Sequence, residues 1–242
     1  MKQRNGKLIT MISFGFAFVS LLGGNGLGRQ RPSASNGTGK IVFDVDLTKG
    51  NAGPGQVFGG LWEKGWRVTG ADNERIVFDA GYPVESGYLE VSFTATQLLV
   101  SEAGRKINYF GLHEEASLSQ NSHEGDILYA RTGNKNYKFS KIKAAGKKFD
   151  QNEWEQSVGE LSDWITDDKT VHTIRLEWGG GLATFHDTKG TKYSCTQDTT
   201  CGGSHPIDKL RYVFLGSDKY NGFTPKGVRF LRAKLVDNSA KG

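Results

Sequence analysis

Cysteine is nearly missing from this chain of 242 residues, which holds Cys195 and Cys201 alone; proline (five) and methionine (two) are scarce as well. Two thiols with only His186 and His205 nearby do not make a recognised zinc spacing, so no metal-built core is expected. The chain also lacks a G-x-S-x-G elbow and a glycine-rich phosphate loop leading into a helix, which removes the serine-hydrolase and nucleotide-binding signatures. No repeat of solenoid or propeller length occurs. Beyond Leu22 no apolar run is long enough to span a bilayer.

An excess of one charge is missing too, once the N-terminus is set apart. The formal charge of +5 is carried by Lys2, Arg4, Lys7, Arg29 and Arg31, all before Asn36, and the remaining 26 Lys and Arg face 26 Asp and Glu. A neutral domain has no electrostatic footprint for nucleic acid, so none is expected as a partner. The basic run Lys141-Ile-Lys-Ala-Ala-Gly-Lys-Lys148 reads as a solvated strand end and turn.

The same N-terminus has the plan of a secretory signal. Lys2, Arg4 and Lys7 precede an apolar run from Leu8 to Leu22, and no acidic residue comes before Asp44. Export with cleavage is expected, leaving no stable membrane span; an uncleaved N-terminal anchor is the alternative. Residues 1–35 are thus assigned to signal and flexible lead-in, and 36–242 to one domain that is secreted, periplasmic or on the cell surface. In an oxidising compartment Cys195 and Cys201, which enclose five residues, are expected to form a local disulfide clamp.

What the domain does hold is strand-like alternation punctuated by 33 glycines. In Thr170-Val-His-Thr-Ile-Arg-Leu-Glu-Trp178, Ile174, Leu176 and Trp178 share one face, while Thr173, Arg175 and Glu177 share the other. Ile41 to Leu47 and Gly87 to Ala95 alternate in the same way. Twelve runs are identified: 41–47, 66–69, 75–79, 87–95, 107–113, 126–131, 137–142, 170–178, 182–187, 191–194, 209–215 and 228–236. Together they predict two packed antiparallel sheets, with Gly179-Gly-Gly181 as a hairpin turn. One break in period, Asp150 to Ile165, places Trp154, Val158, Leu161 and Ile165 four, three and four apart and predicts a short helical insertion.

The runs Gly65-Trp-Arg-Val-Thr69, Arg75-Ile-Val-Phe-Asp79, Gly87-Tyr-Leu-Glu-Val-Ser-Phe93, Thr170 to Trp178 with its glycine turn, and Gly227 to Val236 resemble the concanavalin A-like lectin/glucanase superfamily over roughly Ile41 to Asp237. That resemblance implies an all-β jelly-roll sandwich with sugars on a concave sheet or its rim loops. A polysaccharide or glycan is therefore the expected partner. Saccharide sites combine aromatic platforms with hydrogen-bonding groups. The candidate platforms are Trp62, Trp66, Tyr109, Tyr129 and Tyr220, with His113, Arg131, Arg175 and Glu177 as polar partners. Duller roles stand beside these. Trp66 also fits a core anchor, Trp178 shares the apolar face, Trp154 fits the helical stripe, and Arg175 with Glu177 fits a solvated ladder.

Catalysis has less support. The E-x-D-x-x-E run of laminarinase-type members is absent, and Glu114-Glu115, Glu153/Glu155 and Asp167-Asp168 read as acidic loops. A lyase would recruit Tyr129, Arg131, His113, His172 and His186, but nothing in one dimension joins them. No cofactor is expected beyond a structural calcium on Asp44, Asp46 and Asp237, a weak oxygen set. The expected function is a non-catalytic, lectin-like carbohydrate-binding module. A glycoside hydrolase or polysaccharide lyase on the same scaffold and a surface protein that binds another protein remain as alternatives.

Overall fold

In the computed structural model the chain divides into two compact units, Met1–Asn36 and Gly37–Gly242. The described residues are 39–94, 107–114, 127–132, 142–147, 169–180, 182–186, 192–196, 209–217 and 224–239, all in the second unit. The expected signal, the helical insertion with Trp154 and Trp164, Tyr220 and Cys201 lie outside them, as does the side chain of Cys195.

Fourteen strands run through the described residues: β1 (Lys40–Asp46), β2 (Gln56–Phe58), β3 (Leu61–Trp62), β4 (Trp66–Arg67), β5 (Arg75–Val84), β6 (Gly87–Thr94), β7 (Ile107–His113), β8 (Ile127–Thr132), β9 (Ile142–Lys147), β10 (Val171–Gly179), β11 (Leu182–His186), β12 (Lys192–Thr196), β13 (Leu210–Gly216) and β14 (Arg229–Asp237). The one helical element described is a 3-10 turn, Leu47–Lys49, capped where Asp46 accepts from the Thr48 N–H at 3.0 Å. No described helix is long and apolar enough to cross a membrane.

Every pairing is antiparallel, and two sheets form the sandwich. An eight-stranded sheet runs β12-β11-β10-β6-β14-β4-β3, with β1 also on β14, and a six-stranded sheet runs β2-β5-β13-β7-β8-β9. The expected fold class, all-β with two packed antiparallel sheets, is what the chain adopts. Alternation decides which residues meet between them. On β10, His172, Ile174, Leu176 and Trp178 are buried while Thr173, Arg175 and Glu177 stay half-exposed. The inner faces interlock through Phe43 stacked on Phe78 at 4.6 Å, Phe93 against Phe110 and Tyr109 at 5.9 and 5.5 Å, and the Trp178 indole N–H donating to the Val84 carbonyl at 3.1 Å. Burying a Phe ring of this kind stabilises by about 2–3 kcal/mol.

The glycine hairpin is present, since Gly179 pairs with Leu182 and Gly180 sits at φ 59°. Other boundaries differ from expectation. The basic run Lys141 to Lys148 is strand in its described part: Ile142–Lys147 is β9, paired residue for residue with β8, while residues 137–141 of the expected run 137–142 lie outside the described residues. Pairing with a neighbour, which local pattern does not report, decides this. Its lysines suit the end of a sheet, where charge discourages pairing with another chain. Strands β2 and β3 were not expected, because two or three residues carry too little alternation to register.

A buried carboxylate shapes the segment between β2 and β5. Glu74, 3% exposed, accepts from the N–H groups of Gly60 (2.9 Å), Thr69 (2.8 Å), Gly70 (2.8 Å) and Ala71 (3.2 Å) and from the Thr69 hydroxyl. Its carbonyl also receives the Ser217 N–H at 3.0 Å, tying the end of β13 to the start of β5. Gly60 follows from this cradle. At φ 73° it passes so close to the Trp66 indole that a Cβ would come within 2.3 Å of the ring nitrogen. Removing the carboxylate strands several inward N–H groups, so Glu74→Ala is expected to cost about 3–5 kcal/mol. The check is a lower urea midpoint with an unchanged slope, and Glu74→Gln, which keeps an acceptor, should lose less.

Candidate functional site

The outward face of the eight-stranded sheet collects a set of polar side chains from several strands. Register alone builds its central row: Asp44 pairs with Lys234, Lys234 with Glu90, Glu90 with Arg175, Arg175 with His186 and His186 with Lys192, a line across six strands. Because side chains alternate, the rows two residues away share that face. One holds Asp46, Arg232, Ser92 and Thr173; another holds Tyr88, Glu177 and Thr184.

Contacts then organise the plate. Arg175 donates through Nε (3.2 Å) and Nη2 (2.8 Å) to one oxygen of Glu90, and its guanidinium lies 4.1 Å from the Tyr88 ring centroid. Lys234 stands 5.9 Å from the same ring. With cations against it, Tyr88 serves as a rigid hydroxyl more than as an open platform. His186 Nε2 meets Glu177 Oε2 at 3.1 Å, the Ser92 and Thr173 hydroxyls meet at 2.9 Å, and Arg232 chelates Asp44 at 2.8 and 2.6 Å. The Arg232 hydrogen bond holds the Asp44 carboxyl below its ordinary value. Among the described residues the second oxygens of Glu90 and Glu177 accept nothing, so the plate presents fixed acceptors beside fixed donors. That is the equipment for hydroxyl-rich ligands.

The expected site residues separate. Arg175 and Glu177 belong to this plate. Trp62 keeps 37% of its surface on the edge strand β3. Trp66, opposite it, is instead wholly buried, stacked on Phe230 at 5.8 Å with its N–H on the Gly59 carbonyl, and so cannot be a platform. Tyr109 is likewise buried: the irregularity between Asn108 and Phe110 turns it into the core against Phe93. His113 lies in the other sheet, paired with Tyr212 and Ile127, and is 2% exposed, which denies it to solvent. On β8, Tyr129 stands opposite Gly111 and Arg131 opposite Asn108; their side chains lie outside the described residues.

The calcium set does not assemble. Asp44 is held by Arg232, Asp46 caps the 3-10 turn, and Asp237, 2% exposed, accepts from the Tyr82 hydroxyl at 3.0 Å on the inward side of β14. Among the described residues no three acidic, histidine or cysteine side chains are grouped to hold a metal. The plate residues missed by sequence reasoning are Tyr88, Glu90 and His186 as binding groups, together with Ser92, Arg232 and Lys234. Alternation in Gly87 to Thr94 did place Tyr88, Glu90 and Ser92 on one polar face; only strand pairing sets that face beside Arg175.

Neither family models nor curated proteins give a match to this sequence. Solved structures do resemble the fold. The apo Crh5 transglycosylase has a TM-score of 0.53 at 13% identity, with 81% of this chain and 84% of that one covered. A carbohydrate esterase, vb_24B_21 from the Shiga toxin-encoding bacteriophage phi24B, has a TM-score of 0.53 at 13% identity, with 83% of this chain and 100% of that one covered. The Crh5 transglycosylase in complex with NAG has a TM-score of 0.51 at 12% identity, with 81% and 84% covered. At such identities the likeness is one of fold.

His113 yields a pH prediction. Desolvation lowers its pKa from 6.5 to about 3, its ring packs edge-on against Phe214 at 4.4 Å, and neither nitrogen meets a hydrogen-bond partner among the described residues. The unfolded chain therefore binds one proton more than the folded chain between about pH 6.5 and 3, so stability falls as pH falls through that window, by up to about 1.4 kcal/mol per unit. Asp44 and Asp79, lowered chiefly by hydrogen bonds from Arg232 and Arg211, add a loss as pH drops below the ordinary carboxylate range. His113→Leu should flatten the slope between pH 6.5 and 4.5 in urea titrations without lowering stability at pH 5.

Proposed function

We propose that the domain is an exported carbohydrate-binding module of the concanavalin A-like type, holding a polysaccharide or glycan on the outward face of its eight-stranded sheet without cleaving it. The observation that carries this is the central row, Asp44, Lys234, Glu90, Arg175, His186 and Lys192, whose residues are set side by side by backbone pairing. A sheet holds its neighbouring side chains at fixed spacing, so the plate needs little ordering on binding. Support also comes from the fold shared with a carbohydrate esterase and with a transglycosylase solved with NAG.

The use of the carboxylates supports binding without cleavage. Glu90 is committed to Arg175 and Glu177 to His186. A hydrolase needs one carboxyl as a proton donor and another as nucleophile or base, and the laminarinase-type run that supplies them is absent. Trp62 is exposed on β3 but does not belong to the plate: it stands opposite Trp66, whose side chain enters the core, and so lies on the other side of the sheet.

Retention on a panel of immobilised polysaccharides, with reducing-end and unsaturated products assayed in the same wells, tests this. Retention without products is expected. Arg175→Ala and Glu90→Gln should each weaken retention about tenfold while the melting temperature stays within a few degrees. New products, or retention indifferent to both substitutions, would overturn the proposal.

A further inference from the structure

We infer that the ligand of this face is an anionic polysaccharide, held along β14 by Arg229 and Lys234; this rests on the glycan-binding proposal above. β14 is an interior strand, flanked by β6 on one side and by β4 and β1 on the other, and it carries Arg229, Arg232 and Lys234 outward. The carboxylates on and beside that face are already engaged. Asp44 is taken by Arg232, Glu90 by Arg175, Glu177 by His186 and Glu63 by Arg67, while Asp46 caps Thr48 and approaches Lys49.

Two cations of the strand are left over. Lys234 has a ring contact with Tyr88 but no ion pair among the described residues. Arg229 has neither, and its Nε is buried with no hydrogen-bond partner among the described residues. Its position is unusual in a second way. Arg229 stands directly opposite Arg67, a like-charge pairing that disfavours the sheet, and the carboxylate beside them, Glu63, is bound by Arg67 at 2.8 Å. An anion seated at Arg229 would supply the missing counter-charge and satisfy the buried donor.

The chemistry of the occupant follows from the spacing. Arg229 and Lys234 are separated along the strand by about 15 Å, with Arg232 between them. One small anion cannot reach both, whereas a polymer carrying a carboxylate or sulfate on successive sugars can. The acceptors and hydroxyls of Glu90, Tyr88, Ser92 and Thr173 lie on the adjacent strands to receive its hydroxyl groups. Neutral polymers would leave both cations without an ion pair among the described residues.

The full chain is passed over immobilised polygalacturonate, dextran sulfate, neutral dextran and poly-glutamate at low salt and at 0.5 M sodium chloride, where screening shortens the reach of charge to about 4 Å. Retention on an acidic polysaccharide is expected, weakened by salt and about three- to tenfold by either Arg229→Gln or Lys234→Gln, with Lys226→Gln unchanged. Polygalacturonate or dextran sulfate as the better matrix identifies the group as carboxylate or sulfate, and either supports the inference. Lys234, half-exposed, keeps the test decisive should Arg229→Gln misfold by circular dichroism. Equal, salt-indifferent retention on neutral dextran would overturn the inference and leave the glycan proposal standing. Retention on poly-glutamate as strong as on the acidic sugars, or substitutions without effect, would also overturn it. Failure to bind any polysaccharide would remove both.

Discussion

The register of β6 between β10 and β14 is the constraint on which the rest depends. Leu89, Val91 and Phe93 enter the core, and Tyr88, Glu90 and Ser92 face outward, only because β6 pairs Leu89 with Leu176 on one side and with Leu235 on the other. A slip of one residue would exchange these sets, putting Glu90 between the sheets and Phe93 in water. The fold and the polar plate are therefore two faces of one pairing. Phe93, touching Tyr109, Phe110, His172 and Phe230, makes the penalty for slipping large.

Charge on the plate is arranged by the same geometry. Neighbouring strands bring Arg175 to Glu90 and Arg232 to Asp44, pairs separated by 85 and 188 residues in sequence. Such half-exposed ion pairs add little to stability individually. Their larger consequence is orientation: a guanidinium that donates twice to one oxygen is fixed, and so is the carboxylate beside it. At the far end of the sheet the Glu74 cradle does similar work with backbone donors, holding the segment from which the β3–β4 edge projects and on which Trp62 remains exposed.

Some of this was legible residue by residue. The alternation in Val171 to Trp178 separated the core face from the polar face correctly, and Trp178 fell with the core. Tyr109 was misjudged because a strand irregularity of one residue reverses the side on which an aromatic falls, and no local pattern marks it. Trp66 differed for another reason. A short strand bearing Trp, Arg and Val suits either a core or an edge, and the partner strand, with Phe230 directly opposite, settled it. His113 looked like a hydrogen-bonding group, but among the described residues it meets the Phe214 ring and no polar partner.

The sequence by itself determined the class of structure: a period of two repeated along many short segments, with glycine at the turns, admits little but antiparallel sheet, and it determined which face of each long strand is apolar. Which strands become neighbours was decided only in three dimensions. Arg175 and Glu177 appear on one strand in any reading, whereas the row that joins them to Glu90, Lys234 and His186 exists because β6, β14 and β11 pair around β10. Strand pairing is a non-local choice, made by the summed fit of inner faces, and a one-dimensional pattern records each strand's preference without recording its partner.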